Sequence, residues 1–298
     1  MRLVVLLLGI GSGIAVRADL SYTTVTQGGC TLPGDAGRTA KYYFKGQKIK
    51  IDESGTATVV DMDSRTMIYI DKNLKSYSVS RLGDPRGDIK SDDVPVRLDV
   101  TKTGQTKAIH GYNASEVVMT TEVDHAVSGQ DDMKVQVEVE IWASPDVPGS
   151  QEWRAFYDKE GPHFSWPGLL GGNPFVTPEH GGMQKATAAV QRRMADINGV
   201  PVLRVVRMKP ARNWAQTAEM QRELAKVRAS LEEMRKQRVS TADGVALADG
   251  VALMLACNFV LPSSSGAFME WTMDSSDFST VGIPDSVFAI PADYIERH

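Results

Sequence analysis

The stretch Ile109–Val118, IHGYNASEVV, gathers a histidine, a tyrosine, a serine and a glutamate within a few residues. His110 has the side chain of a general base or a metal ligand. The simpler reading is a histidine exposed on a turn, and the spacing favours it. Asn113 opens an N-x-S acceptor pattern, which matters only in a eukaryotic secretory pathway. His163 and His180 could share a metal, but no third ligand stands at a recognisable spacing such as H-E-x-x-H. Asp61 and Asp63 alternate as in a calcium loop, yet the loop's glycine and closing glutamate are missing, and turn acids explain them better. Ser263–Ser265 precede Gly266 with no evident partner. The chain has no G-x-S-x-G elbow, Walker loop or dinucleotide fingerprint. A triad can be assembled from distant residues, so a hydrolase without a motif stays open. The residues assign no catalytic group, no metal and no cofactor.

The elements that would carry these residues are mostly strands. Lys41–Arg81 reads as a meander of short β-branched and aromatic strands, with turns at DSR and DKN. Leu82–Val94 is a Gly/Pro/Asp-rich loop, and strands resume at VRLDVTKT. MKVQVEVEIW alternates strictly: Met133, Val135, Val137, Val139 and Ile141 face one way, and Lys134, Gln136, Glu138 and Glu140 the other. That is a strand with one face on a core and one in water. Trp142 extends the polar face and could line a second surface. Trp153–Lys159 reads as a helix, 183–197 as a second helix ending at Asn198-Gly199, and 213–238 as a third. Met220, Leu224, Val227, Leu231 and Met234 form one apolar stripe on the third, which packs on the sheet or meets a partner. From Val245 the chain returns to strands, ending with SVFAIPADYIERH.

Between the first two helices lies a Gly/Pro-rich loop, 160–182, that also carries Phe164, Trp166, Leu169, Leu170 and Phe175. Linkers are not so apolar. These side chains either cover an apolar cavity as a lid or fill it permanently as core. Trp142 and Trp271 are further candidates for the same cavity. The opening stretch also has a counterpart. INGVPVLRVV at 197–206 repeats Ile109, Gly111 and Val117-Val118 as Ile197, Gly199 and Val205-Val206. EIWASPD at 140–146 is loosely echoed by MEWTMDS at 269–275. A feature used twice in different polar company points to architecture rather than a catalytic cluster.

Composition bounds the rest. With 298 residues, 42% apolar and 23% charged, the chain can bury a sizeable core. A net charge of −4 offers no basic surface for nucleic acid or an anionic membrane. MRLVVLLLGIGSGIAVRA has a basic start, an apolar run and a small-residue close, so residues 1–18 read as a signal peptide cleaved after Ala18. No later segment is long and apolar enough for a permanent membrane span. The mature chain, 19–298, is expected in the periplasm or secreted. Cys30 and Cys257 form an even pair that could be a disulfide in such a compartment, or two separately buried thiols.

TVVDMDSRTMIYIDKNLKSYSV, TGQTKAIHGYNASEVVMT, EIWAS and IPDSVFAIPADY look like the motifs of an uncharacterised family of exported bacterial proteins. That family resembles the lipoprotein carriers of LolA, LolB and LppX type. The resemblance covers most of the mature chain, most specifically about 56–142 and 281–294. It implies an α+β fold: a single curved antiparallel sheet, an open half-barrel, with helices packed on one face. It also implies a non-enzymatic envelope protein that binds a lipid or other apolar ligand. No functional residue carries over from these motifs. An envelope interaction protein using the 213–238 helix is the alternative.

Overall fold

A computed structural model describes residues 19–28, 37–82, 97–125, 133–160, 186, 189–210, 267 and 269–297. Its strands are β1 (Leu20–Gly28), β2 (Arg38–Lys45), β3 (Lys48–Glu53), β4 (Thr56–Asp61), β5 (Thr66–Asp71), β6 (Ser76–Arg81), β7 (Leu98–Ile109), β8 (Tyr112–His125), β9 (Met133–Ser144), β10 (Val200–Pro210), β11 (Met269–Ser279) and β12 (Ile295–Glu296). All twelve lie in one sheet, in the order β12-β6-β5-β4-β3-β2-β1-β11-β10-β9-β8-β7. Neighbours are antiparallel except β12, which pairs with β6 in parallel.

This corrects the expected α+β half-barrel with a helical layer. The protein is all-β: one large mixed sheet, not closed into a barrel, with two helices among the described residues. Helix α1 (Ser150–Glu160) holds the expected 153–159 segment. Of the expected helix 183–197, residues 186 and 189–193 are helical and Met194–Asp196 form a 3-10 turn; 183–185 and 187–188 lie outside the described residues. The expected helix 213–238 lies outside the described residues. The C-terminal SVFAIPADYIERH is likewise no long strand. It is a 3-10 turn, Asp285–Phe288, followed by extended chain and the two residues of β12.

Local chemistry explains the meander. Asp61 and Asp71 open successive turns ten residues apart in the sequence. Asp61 Oδ1 accepts the N–H of Asp63 at 3.0 Å and of Ser64 at 3.2 Å. Asp71 Oδ1 accepts those of Asn73 and Leu74, both at 2.9 Å. Arg65 and Lys75 close these turns with φ of 53° and 46°. A short carboxylate that satisfies its own turn is the reason aspartate starts such loops. Asp61 and Asp63 are accordingly turn residues.

The register sorts side chains onto two faces. Tyr22, Tyr42 and Ile51 share the inner face of β1–β3, and Met273, Arg204, Ile141 and Val117 continue it across β11, β10, β9 and β8. Most of these are buried in the main core. Trp153, Phe156 and Tyr157, at helical spacing, seat α1 on this face. The Phe156 ring meets Phe44 edge-on at 5.5 Å between centroids. A separate, smaller cluster forms on the outer face of β2–β6, under the C-terminal segment.

The two Ile-x-Gly turns share a glycine at positive φ before a strand but differ at the residue before it. His110 and Gly111 make a two-residue loop between β7 and β8, with φ of 50° and 83°. Positive φ at both positions is what a tight I′ hairpin needs. Gly199, at φ 109°, leads into β10 as Gly111 leads into β8. Their surroundings differ: a Cβ on Gly111 would meet open space, whereas one on Gly199 would collide with the Ser144 carbonyl group. Gly111→Ala should therefore cost only the strain of a Cβ at positive φ, about 1–2 kcal/mol. Gly199→Ala adds a clash with main chain and should lose clearly more, a difference that urea unfolding of the two variants will read.

Candidate functional site

The inner face carries an apolar tract on the four adjacent strands β8, β9, β10 and β11. Val117 and Met119 stand on β8, Val137, Val139 and Ile141 on β9, Val206 and Met208 on β10, and Trp271 and Met273 on β11. Methionine, unbranched and polarisable, adapts to irregular apolar partners.

Arg204 interrupts this tract. It lies between Ile141 and Met273 on the inner face and is only 4% exposed. Around it stand three buried phenols. Arg204 donates to Tyr42, and the Trp153 indole donates to Tyr22. The Tyr22 and Tyr42 rings stack at 4.9 Å, and Tyr157 packs on Trp153 at 4.4 Å. Burial raises the phenol pKa of Tyr22, Tyr42 and Tyr157, and the nearby Arg204 charge only partly opposes it. These phenols therefore stay neutral hydrogen-bonding groups. A cavity of about 10 Å³ sits beneath α1, lined by Val139, Ile141, Tyr157, Val190, Gln191, Met194 and Arg204. That is room for about one water.

The outer face of the same strands is charged. Arg207 Nη1 donates to Glu138 at 3.1 Å and Glu140 at 2.6 Å, and its Nε to Glu270 at 2.8 Å. Lys209 reaches Glu138 at 2.7 Å. Trp142 donates its indole N–H to Glu140 at 2.6 Å, while Lys107 lies over the Trp142 ring at 3.9 Å. Burial disfavours the charged form of both Glu140 and Arg207. The hydrogen bonds and opposite charges outweigh it, so Glu140 is held below the usual carboxylate range and Arg207 above the usual guanidinium value.

Trp142 and Trp271, both buried, are thus not in one cavity. Trp142 is level with Leu203 and Asp274 on the outer face, whereas Trp271 is on the inner face with Val206. The loose echo between their two segments does not extend to orientation. His110 is half-exposed, and its Nε2 lies 2.5 Å from Asp274 Oδ1. Tyr112 meets the Phe278 ring edge-on at 5.7 Å, so the β7–β8 turn reaches β11. Among the described residues no three His, Cys, Asp or Glu side chains gather as a metal would require. Phe164, Trp166, Leu169, Leu170, Phe175, His163, His180, Ser263–Ser265, Cys30 and Cys257 lie outside the described residues. No described helix is long and apolar enough to cross a membrane.

Sequence reasoning missed the Arg204 cluster. The signal was the parity of Val202, Arg204, Val206 and Met208. It was blurred because Leu203 and Val205, on the other parity, are apolar as well.

Residues 30–155 match the model of a family described as a domain of unknown function, DUF4412. The match runs through β2–β9 into the first turns of α1, and it is consistent with the uncharacterised domain family that the motifs at 56–142 imply. The finer likeness to lipoprotein carriers rests on the sequence motifs alone. No curated protein matches the chain. Among solved structures, two crystal forms of PNGF-II are similar at 8% and 7% identity, with TM-scores of 0.33 and 0.31. Each alignment covers 94% of this chain but only 31% and 32% of the PNGF-II chain, so this chain spans about a third of their length. TM-scores this low give the likeness no weight for fold or function.

Arg207→Met removes one charged partner from each of three carboxylates. The variant should lose about 1–3 kcal/mol of stability at neutral pH, as hydrogen bonds to charged groups do. The folded-state pKa of Glu140 is lowered, so its contribution is present above the unfolded value and is lost as pH falls through the folded one. The gap between wild type and variant in urea unfolding should accordingly narrow on acidification and persist up to neutral pH.

Proposed function

We propose that the protein is an exported, non-enzymatic binder of a lipid or other apolar ligand in the bacterial envelope. The observation that carries this reading is the inner-face tract, a run of aliphatic, methionine and tryptophan side chains on β8–β11. An acyl chain laid against such a surface gains roughly 0.8 kcal/mol per buried methylene. The cavity beneath α1 holds about one water and is far too small for that chain. The ligand would instead lie farther along the strands, against Met119, Val137, Met208 and Trp271. The leader at 1–18 supplies the route of export, and the motif likeness to lipoprotein carriers agrees on the ligand class. The aromatic segment 160–182 has the composition of a cover for such a ligand.

Native mass spectrometry of protein purified from the periplasm tests this. A mature chain beginning at Asp19 that carries an adduct of lipid mass, removable by solvent extraction, is the expected result. A bare chain, with no thermal shift on adding a fatty acid or a phospholipid, would overturn the proposal.

A further inference from the structure

The C-terminal segment behaves as a bound peptide. From Thr280 it runs across the outer face of β2–β6 and inserts Ile283 and Phe288, both buried, with Val287 and Tyr294 beside them. The floor beneath consists of Tyr43 on β2, Ala57 and Val59 on β4, Ile68 and Ile70 on β5, and Tyr77 on β6. This apolar cluster is separate from the main core. Detaching the strap would uncover a groove without opening the interior.

The clamps on the strap read mostly its main chain. Lys45 Nζ donates to the Ile283 carbonyl at 2.6 Å and pairs with Asp285 at 2.8 Å. Lys50 Nζ donates to the Val287 carbonyl at 3.0 Å. Lys75 pairs with Asp293 at 2.8 Å. The strap's Ile295 and Arg297 donate their N–H groups to the carbonyls of Lys75 and Tyr77, adding β12 to the edge of β6. Main-chain pairing with pockets for a few side chains is how sheet surfaces take up extended peptides. The contacts from Lys45, Lys50 and Lys75 are indifferent to which copy supplies the strap. The connection at Thr280, Val281 and Gly282 is exposed, with Val281 at 76%, and a Cβ on Gly282 would touch nothing.

We propose that the outer face of β2–β6 is a peptide groove that this chain's own C-terminal strap fills in cis and that the strap of a second copy fills in trans, giving an arm-exchanged dimer. The occupant follows from the fit already present: the groove's lysines and apolar floor match this segment's sequence. Linkage favours closure in cis through the high local concentration of a tethered strap. Exchange should appear when the connection is too short to close, the usual route to swapped dimers.

The test uses the full chain with Val281 and Gly282 deleted, followed by light scattering on a sizing column. It should be a dimer at concentrations where wild type is a monomer, and adding Phe288→Ala should return it to monomer. A fluorescein-labelled peptide of residues 283–297 should bind the full-length Lys45→Ala/Lys50→Ala chain weakly. It should bind the full-length Phe288→Ala chain, whose own strap is loosened, about tenfold more tightly than wild type. A deleted chain that keeps its β circular dichroism but stays monomeric would overturn the proposal. So would peptide affinity that is the same for wild type, Phe288→Ala and the double lysine variant.

Discussion

The pairing of β1 with β11 is the seam on which the sheet depends. Leu20–Gly28 lies antiparallel to Met269–Ser279 near the middle of the sheet order. On one side follows the meander β2–β6, whose contacts are local; on the other, β10 to β7. Across the seam the buried hydroxyls of Thr24 and Ser275 bond to each other at 2.9 Å. Two hydroxyls satisfy each other there at a position where a lone one would cost free energy. Gly28, at φ 85°, ends β1 where a Cβ would press on the Glu270 carbonyl. Such non-local pairing must close a very long loop before it is rewarded, so the meander can form early and the seam must wait.

The seam also makes the inner face continuous. Tyr22 on β1 is stacked on Tyr42 from the meander and tilted against Phe278 of β11. Phe278 in turn meets Tyr112 at the base of the β7–β8 turn. The two faces then diverge. On β8–β11 the inner face is apolar and the outer face holds the Arg207 network; on β2–β6 the outer face is apolar and the strap covers it. The edges are protected differently. β12 closes one with two residues. β7 is exposed at 101–108, where Lys102, Lys107 and a register shift at left-handed Gly104 discourage edge pairing.

Much of the strand content was legible because it depends on short-range pattern. Alternation in MKVQVEVEIW gave β9 and its two faces. Aspartate-led turns gave the meander, and Ile-x-Gly marked the starts of β8 and β10. What failed was non-local. The helical layer was inferred from stripes that could pack anywhere, and 213–238 lies outside the described residues. Phe288 lies in the segment read as a closing strand, but here a 3-10 turn and lysine clamps do the holding, with no strand pairing at Phe288. Arg204 was hidden because β10 is apolar on both parities, so the sequence could not say which face its arginine joined.

The same limit bears on the repeated turn. Gly111 and Gly199 share a sign of φ for different reasons. One completes a tight hairpin in open space, and the other passes close to the Ser144 carbonyl. Trp142 and Trp271, matched by the looser echo, end on opposite faces, one under Lys107 and beside Glu140, the other in the main core. Backbone conformation can thus recur while side-chain surroundings do not. Turns of this kind position strands. The two faces differ in charge, apolar area and cover, and that difference is fixed by strand parity and not by the turns.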